Sequence, residues 1–276
     1  MLSTGQIQQI ASRASVILLQ GFIMQRLALL LMFAVLPLVC GAQQRVEVWT
    51  YHLSPPFIVD DTQGLSHDFV ELLNNDPGNQ GRFRFELVRI PRNGIDERLS
   101  QKRPGVLLWA TPSFFTAAQA NNGRWSRPLL MDQQVFVSLP DAPFDYEEPE
   151  TLHGMVLGGI VGHRYNALSA DIENGKITRQ DAQTDLENFA QLMSGHIDTL
   201  LIPRSTLLYY LKNAQHRDLY VSDTPLYQFA RHLLVTDAVG EAVSAYLAEC
   251  IEALDGNPEW QILLFRYGLK PIATEQ

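Results

Sequence analysis

Short apolar runs alternate with longer stretches of helical periodicity along most of the chain. Runs rich in Val, Ile, Leu and Phe are typical of buried strands, and apolar residues three and four positions apart are typical of helices that pack on a sheet. Their alternation favours a parallel α/β architecture. The first series has predicted strands at Arg45–Thr50, Phe83–Ile90 and Val106–Ala110, and predicted helices at Leu65–Asn74 and Gly94–Gln101.

A second series begins after the loop Pro140–Pro149, whose prolines and acidic residues indicate a boundary. Each of its predicted strands is followed by a predicted helix. The strands are Met155–Val161, Ile177–Ala182 and Thr199–Ile202, and the helices are Tyr165–Glu173, Leu186–Ser194 and Thr206–Ala214. Two series of this kind predict two βα lobes.

The end of the chain decides how the lobes are connected. A predicted strand at Leu233–Thr236 is followed by helical patterns at Gly240–Leu254 and Pro258–Tyr267. If these helices return to the first lobe, two strands must cross between the lobes, and the best candidates are Gln134–Leu139 and Gln228–Val235. A pair of crossing strands makes a hinge.

These assignments divide the chain into three parts. Residues 1–42 are expected to be an upstream extension followed by a secretory signal peptide. Residues 43–138 together with 226–276 are expected to form a discontinuous first lobe, and residues 139–225 the second lobe. Only the part after residue 42 should enter the fold.

The secretory signal peptide is predicted from a positively charged residue followed by a run of apolar residues. Arg26 precedes almost unbroken apolar residues from Leu27 to Val39, and small residues lead to Ala42. A charged start, about a dozen apolar residues and a small-residue cleavage site are typical of a secretory signal peptide. We therefore expect cleavage near Ala42 and a periplasmic protein.

Two alternatives to this cleavage stay open. The apolar residues 14–23 could extend the run into a membrane-spanning helix, and Cys40 could be acylated as in a lipoprotein. Cleavage after Ala42 would remove Cys40 and leave one cysteine, Cys250. Stability would then depend on the core and not on a disulfide. Cys250 lies on the apolar face of a predicted helix, which favours a buried structural thiol.

Charge limits the choice of partners. Removing residues 1–42 removes Arg13 and Arg26 and no acidic residue, which changes the formal net charge from −9 to −11. An acidic surface of this size argues against nucleic acid or anionic lipid as the main partner. About 234 residues remain, enough for two well-filled lobes.

Several short motifs follow one another in a fixed order over most of the chain. They are Tyr51 with Pro55-Pro56-Phe57, Gly64-Leu65 with Asp68, Trp125-Ser126-Arg127-Pro128, Leu152-His153-Gly154, Leu192-Met193-Ser194-Gly195 with Asp198, and Tyr267-Gly268-Leu269. In order and spacing they resemble the bacterial extracellular solute-binding proteins of family 3, the amino-acid-type periplasmic binding proteins of ABC importers.

The resemblance covers about Arg45 to Leu269. It implies a two-lobed type II periplasmic-binding fold with two crossing hinge strands. It also implies that the lobes close on a small molecule, which passes to an inner-membrane ABC permease or is sensed by a membrane receptor. A monomer without a cofactor is expected.

Candidate ligand-binding residues lie in loops after the strands, because open parallel sheets bind ligands beyond the carboxyl ends of their strands. Tyr51 and Phe57 are the aromatic residues of the first such loop. Aromatic side chains commonly line small-molecule sites. Trp109 ends a predicted strand, its indole facing either the cleft or the core, and the hydroxyl of Thr111 could meet a polar ligand.

The second lobe offers cationic candidates. Arg164 and Tyr165 follow Gly162-His163 in a strand-to-helix turn, where helix N–H groups and a guanidinium can bind an anion. Arg204 occupies a similar turn after the strand Thr199–Ile202. A solvated surface arginine is the alternative interpretation for Arg164.

Two departures from the family affect the predicted ligand. The resemblance implies an arginine soon after a Thr-Pro turn, but Thr111-Pro112 is followed by no arginine before Arg124. It also implies an aspartate after the strand Thr199–Ile202, where Pro203 stands instead. Without these groups, a small anionic or neutral polar ligand is favoured over an ordinary amino acid.

Capture of a solute is therefore the leading function, and we expect no enzymatic activity. No His or Cys cluster has metal-ligand spacing and no phosphate-binding glycine motif occurs. Two other classes stay open. One is an interaction or sensory module that has lost its ligand, and the other is a dehydratase-like enzyme on the same fold.

Overall fold

The structure is a computed structural model that describes residues 43–213 and 218–272. The predicted signal peptide, Cys40 and the cleavage site near Ala42 lie outside the described residues. The part that is described contains strands and helices in alternation, as the sequence predicts.

Strands and helices are numbered in chain order. The strands are β1 (Gln44–Thr50), β2 (Phe83–Arg89), β3 (Val106–Ala110), β4 (Gly123–Trp125), β5 (Leu130–Ser138), β6 (Val156–Ile160), β7 (Thr178–Ala182), β8 (Thr199–Pro203), β9 (Tyr220–Val221) and β10 (Tyr227–Thr236). The helices are α1 (Leu65–Asn75), α2 (Arg92–Ser100), α3 (Ala117–Ala120), α4 (Ser169–Glu173), α5 (Asp185–Met193), α6 (Arg204–Asn213), α7 (Glu241–Ala253) and α8 (Pro258–Arg266).

Most strands form one continuous path in the order β2, β1, β3, β10, β5, β8, β6, β7. At one end β1 pairs in parallel with β2 and β3, and at the other end β6 pairs in parallel with β7 and β8. Strands β5 and β10 lie between these parallel groups and pair with each other in antiparallel fashion. The parallel groups are the sheets of two lobes.

Both central strands contribute to both lobes. Residues Tyr227–Arg231 of β10 pair with β5, and the following residues His232–Val235 pair with β3 of lobe 1. Residues Leu130–Gln134 of β5 pair with β10, and Gln134–Val137 pair with β8 of lobe 2. The prediction of two crossing hinge strands is therefore confirmed.

The carboxyl-terminal helices pack on the first lobe. Val46 of β1 and Phe69 of α1 share one buried core with Tyr246 of α7 and Trp260 of α8. Separate buried clusters in lobe 2 contain Phe136, Leu157 and Leu201 on one side of the sheet and Val135, Leu192 and Leu200 on the other. The residue boundaries given above for the lobes stay a prediction.

Element boundaries differ from the prediction at several places, most of them by one or two residues. Strand β5 begins at Leu130, whereas the prediction began at Gln134. The prediction was late because Asp132 interrupts the apolar pattern, although its side chain is buried. The predicted helix Tyr165–Glu173 is a 3-10 turn at Asn166–Leu168 followed by the short helix α4. In the part of the chain that the structure describes, no helix is long and apolar enough to span a membrane.

Candidate functional site

The loop after β1 provides the aromatic candidates of lobe 1. The Tyr51 ring lies 4.1 Å from the His52 ring and 6.3 Å from the Phe115 ring, measured between centroids. Its hydroxyl is buried and has no hydrogen-bond partner among the described residues. Burial raises the pKa of Tyr51. The Phe57 side chain is buried and packs on Trp109.

Helix α1 fixes the shape of this loop. The amide of Leu65 donates a hydrogen bond to the Pro56 carbonyl, and that of Ser66 donates to the Phe57 carbonyl. Gly64 precedes the helix with φ of 136°, and a Cβ there would lie 2.5 Å from the Phe57 carbonyl oxygen. Only glycine permits this approach of the helix to the loop.

Trp109 faces the core and adopts an unusual backbone conformation. Its indole N–H donates to the Ser66 hydroxyl at 2.9 Å, and its ring stacks on Trp260 with centroids 6.3 Å apart. Its φ of 59° lies in the left-handed region, which costs a non-glycine residue roughly 1–2 kcal/mol. Packing on every side of the indole offsets this strain. The Thr111 hydroxyl donates to the Ala230 carbonyl on the hinge strand β10.

The turn after β6 provides the candidates of lobe 2. Arg164 is exposed, whereas Tyr165 is buried and its hydroxyl has no partner among the described residues. The Arg179 guanidinium lies 4.8 Å from the centre of the Tyr165 ring and donates to the His163 carbonyl. Arg204 is exposed and begins α6. Ligand contact by the predicted residues of both lobes stays a prediction.

A buried ion pair joins the two hinge strands at the floor of the cleft. Arg231 of β10 donates through Nε and Nη2 to Oδ2 of Asp132 on β5, at 2.9 and 2.6 Å. Asp132 also accepts hydrogen bonds from the Ser205 amide and hydroxyl, at the start of α6. The Phe57 and Phe229 rings lie 4.5 and 4.9 Å from the guanidinium carbon. The pair thus connects lobe 1, the hinge and lobe 2.

His52 lies against this ion pair. Nη1 of Arg231 is 3.3 Å from Nε2 and 3.4 Å from Nδ1 of His52. Burial, and then the charge of Arg231, hold the pKa of His52 well below its usual range. His163 of lobe 2 acts in the same direction, and its own pKa is lowered by the surrounding protein and by Arg179. One histidine from each lobe therefore faces the same cleft.

Asp185 lies where the lobes meet. It begins α5 in lobe 2, is only 5% exposed, and is approached by Ser54 from the loop of lobe 1. Burial raises the pKa of this carboxyl group, and the contact with Ser54 partly opposes the effect. Asp185 of lobe 2 therefore lies close to the loop that carries Tyr51 and His52.

The sequence analysis did not single out Asp132, Arg231, Asp185 or His52. A signal was present on the hinge strands. Asp132 shares the inward parity of Leu130 in β5, and Arg231 shares that of Phe229 and Leu233 in β10. A charged residue at an inward position on each of two neighbouring strands predicts a buried ion pair.

Metal binding finds no support in this part of the molecule. Across residues 43–213 and 218–272, no group of three or more His, Cys, Asp or Glu side chains is placed to hold a metal ion. The cleft instead combines guanidinium, imidazole and phenol groups, which bind ligands by hydrogen bonds and charge.

Comparison with known proteins gives matches at the level of structure alone. No protein-family model matches the sequence, and no curated protein matches it. A mutant of ArgBP from T. maritima superimposes with a TM-score of 0.63 and 18% identity, covering 81% of this chain and 95% of that one. The GluR0 ligand-binding core from Nostoc punctiforme gives a TM-score of 0.63 and 15% identity, covering 80% and 98%.

A third match is an ancestral amino acid-binding protein, AncCDT-1, described as a precursor of cyclohexadienyl dehydratase. Its TM-score is 0.61 and its identity 16%, covering 81% of this chain and 95% of that one. At sequence identities this low, the matches show similarity of fold alone. These matches, together with the parallel sheet in each lobe and the two crossing strands, show that the chain has the type II periplasmic-binding-protein fold.

Proposed function

We propose that the chain is a solute-binding protein that captures a small polar or anionic molecule between its lobes. The observation that carries this proposal is the convergence of side chains on one cleft from three directions. Tyr51 and His52 come from lobe 1, His163 comes from lobe 2, and Arg231 comes from the hinge. A hinge between two lobes lets such a cleft open for entry and close on a solute.

The matched structures support this proposal through what they hold. The GluR0 core was solved in complex with L-glutamate, and an ancestral arginine-binding protein was solved with arginine bound. Another match is the substrate-binding protein of an amino acid ABC transporter. By analogy, we propose a periplasmic monomer that delivers its solute to an ABC permease or presents it to a membrane sensor.

The ligand is proposed to differ from an ordinary amino acid. Pro203 still takes the place of the expected aspartate, and no arginine follows Thr111 within its loop. The exposed residues Arg164 and Arg204 favour a solute with an anionic group. We propose Tyr51, Phe57, Thr111 and Tyr165 as the further side chains around it. Trp109 would contribute through its backbone carbonyl, which lies beside Arg231, because its indole is buried in the core.

Mass spectrometry and thermal shift test the proposal together. Protein purified from its host is denatured mildly and the released small molecules are identified. The same molecule, added at about 100 times its dissociation constant, should stabilise the fold by roughly 2.7 kcal/mol. A protein that releases nothing and responds to no small solute would favour an interaction module. Turnover of the added molecule would favour an enzyme.

A further inference from the structure

The contact between His52 and Arg231 leaves one guanidinium nitrogen with poor partners. Nε and Nη2 of Arg231 make short bonds to Asp132. Among residues 43–213 and 218–272, Nη1 has contacts only at 3.3–3.4 Å, to the two His52 ring nitrogens and to the Trp109 carbonyl. Good hydrogen bonds from nitrogen to oxygen are about 2.9–3.0 Å long. Nη1 therefore keeps capacity to donate, on the side where His52 lies.

His52 is placed where a ligand can reach it. Its side chain is half-buried, and its backbone amide donates to the Thr50 hydroxyl at 3.2 Å. Its ring packs against Tyr51, and the Phe57 ring is 5.4 Å away. The imidazole thus forms a boundary between the buried guanidinium and the cleft.

The groups that face His52 are cationic or neutral, or are already paired. Arg231 comes from β10, Arg92 from α2, His163 from the turn after β6, and Tyr51 from the same loop. Asp185, which has no arginine partner among the described residues, is not among the charges that shift the pKa of His52. The carboxylates close to the groups that face His52 each bind an arginine: Asp132 binds Arg231, Asp96 binds Arg92, and Asp181 binds Arg179. A proton on His52 would therefore meet positive charge without an unpaired carboxylate among these groups to offset it.

An incoming anion would supply that missing charge. We propose that a carboxylate of the solute binds against both His52 and Nη1 of Arg231, from the cleft side, and that His52 takes up one proton from solvent when it binds. Nη1 of Arg231 donates to the carboxylate, and the protonated imidazole donates as well. This proposal rests on the proposed solute-binding function. It names the chemical class of the ligand, a carboxylate, and it couples binding to the uptake of one proton.

Proton uptake makes affinity depend on pH with a fixed sign. Because burial and positive charge keep the empty site's imidazole neutral, and a bound carboxylate favours the imidazolium, His52 holds more protons in the complex than in the free protein. Affinity must then rise as pH falls between the two pKa values, by at most tenfold per pH unit for one proton. A site that bound the carboxylate through arginine alone would show no such dependence of affinity on pH.

Two dicarboxylates, succinate and glutarate, are the probes, and their uncharged diamides, succinamide and glutaramide, are the matched controls. The second carboxylate of each probe offers a partner to the arginines proposed in lobe 2. Binding is measured by calorimetry at pH 6, in MES and in bis-Tris, whose ionisation enthalpies differ, and at pH 8 in Tris. We expect an acid to bind at least tenfold more tightly than its diamide, more tightly at pH 6 than at pH 8, with a buffer-dependent enthalpy at pH 6.

The variants separate His52 from other sources of pH dependence. His52→Gln, shown by circular dichroism to be folded, should lose the pH slope and the buffer dependence. His153→Gln should keep both, because His153 pairs with Asp171 near the amino end of β6, whereas the cleft lies at the carboxyl ends of the strands. Nuclear magnetic resonance of the histidine ring protons gives a second measurement, in which succinate should raise the pKa of His52.

The possible failures are distinguishable. Equal binding of acids and diamides, binding of acids without a pH slope, or an unchanged slope in His52→Gln would each overturn the proposal and leave solute binding in place. Failure of all four probes would also overturn it. An uncharged molecule found in the cleft by mass spectrometry would then preserve the proposed function, whereas an empty cleft would count against both.

Discussion

The Arg231 guanidinium and the Asp132 carboxylate form an ion pair with 2.6 Å between Nη2 and Oδ2, and each side chain is only 2% exposed. The pair joins the two strands that cross between the lobes. Because Asp132 also holds Ser205 of α6, and Arg231 lies against Phe57 of lobe 1, both lobes share this one pair. Its loss should affect stability and the geometry of the hinge together.

Asp132→Asn should destabilise the protein strongly. The substitution leaves the Arg231 charge buried without its partner, and breaking a buried pair in this way costs about 3–5 kcal/mol. Urea unfolding measures the change. The matched control is Glu241→Gln, which breaks a pair between two exposed side chains, Arg124 and Glu241, and should change stability little. Similar losses in the two variants would contradict a special role for the hinge pair.

Gly64→Ala should destabilise the loop that carries Tyr51 and His52. The new Cβ would meet the Phe57 carbonyl oxygen at 2.5 Å, in a backbone conformation that is essentially restricted to glycine. Gly175→Ala is the control, because Gly175 also has a positive φ of 72° but open space around it. We expect a cost of about 1 kcal/mol for the control and a clearly larger cost for Gly64→Ala in urea unfolding. Equal costs would show that the close approach is unimportant.

Asp185→Asn should stabilise the closed protein at neutral pH. Burial raises the pKa of Asp185 above its usual value of 3.8, so its charged form is disfavoured in the folded state. The stabilising contribution of the protonated carboxyl is complete below pH 3.8 and is lost as pH rises through the raised pKa. The melting temperature of Asp185→Asn should therefore exceed that of the wild type at pH 7, and the difference should disappear at low pH.

Glu187→Gln provides the control for this effect. Glu187 is an exposed acid in the same first turn of α5, and its carboxylate accepts a hydrogen bond from the Gln183 amide. The glutamine oxygen can still accept this bond, but the substitution removes the negative charge and its favourable interaction with the helix dipole. The melting temperature should fall slightly at pH 7. A rise in both variants would show that any loss of negative charge stabilises the protein, and burial of Asp185 would not be the cause.

Much of the architecture could be predicted from local patterns. Apolar runs located the buried strands, and the return of the carboxyl-terminal helices required two crossing strands, which are β5 and β10. The start of β5 was predicted too late because an acidic residue, Asp132, breaks the apolar pattern that defines a buried strand. Its burial depends on Arg231, which is 99 residues away in sequence.

The candidate site was less predictable, because its geometry depends on tertiary contacts. The left-handed φ of Trp109 and its complete burial follow from packing against Phe57, Phe69 and Trp260. Local sequence gives no measure of such packing. Likewise, the pKa of His52 is lowered first by burial and then by the charge of Arg231, which the hinge strand places beside it. Residue type and loop position indicated the region of the cleft but not these partners.

The amino end should be processed during export. We expect cleavage near Ala42, because Leu27–Val39 and the small residues after it are typical of a signal peptide. Sequencing of the amino terminus of protein from the periplasmic fraction tests this expectation. Intact protein in the membrane fraction, or acylation of Cys40, would contradict it.

Arg164→Ala should remove most of the stabilisation that an anionic solute provides and leave the empty protein unchanged. Arg164 is exposed, so its side chain adds little to the ligand-free fold, whereas a hydrogen bond to a charged group is worth about 1.5–3 kcal/mol. The measurement is the thermal shift of each variant with the molecule identified by mass spectrometry. Arg45→Ala is the control, because Arg45 is an exposed arginine at the start of β1, and it should respond as the wild type does. A full response from Arg164→Ala would exclude this contact. The search would then move to two further arginines, Arg204 and Arg127. Arg204 comes first, because Arg127 already binds the Ile251 carbonyl and Asp255.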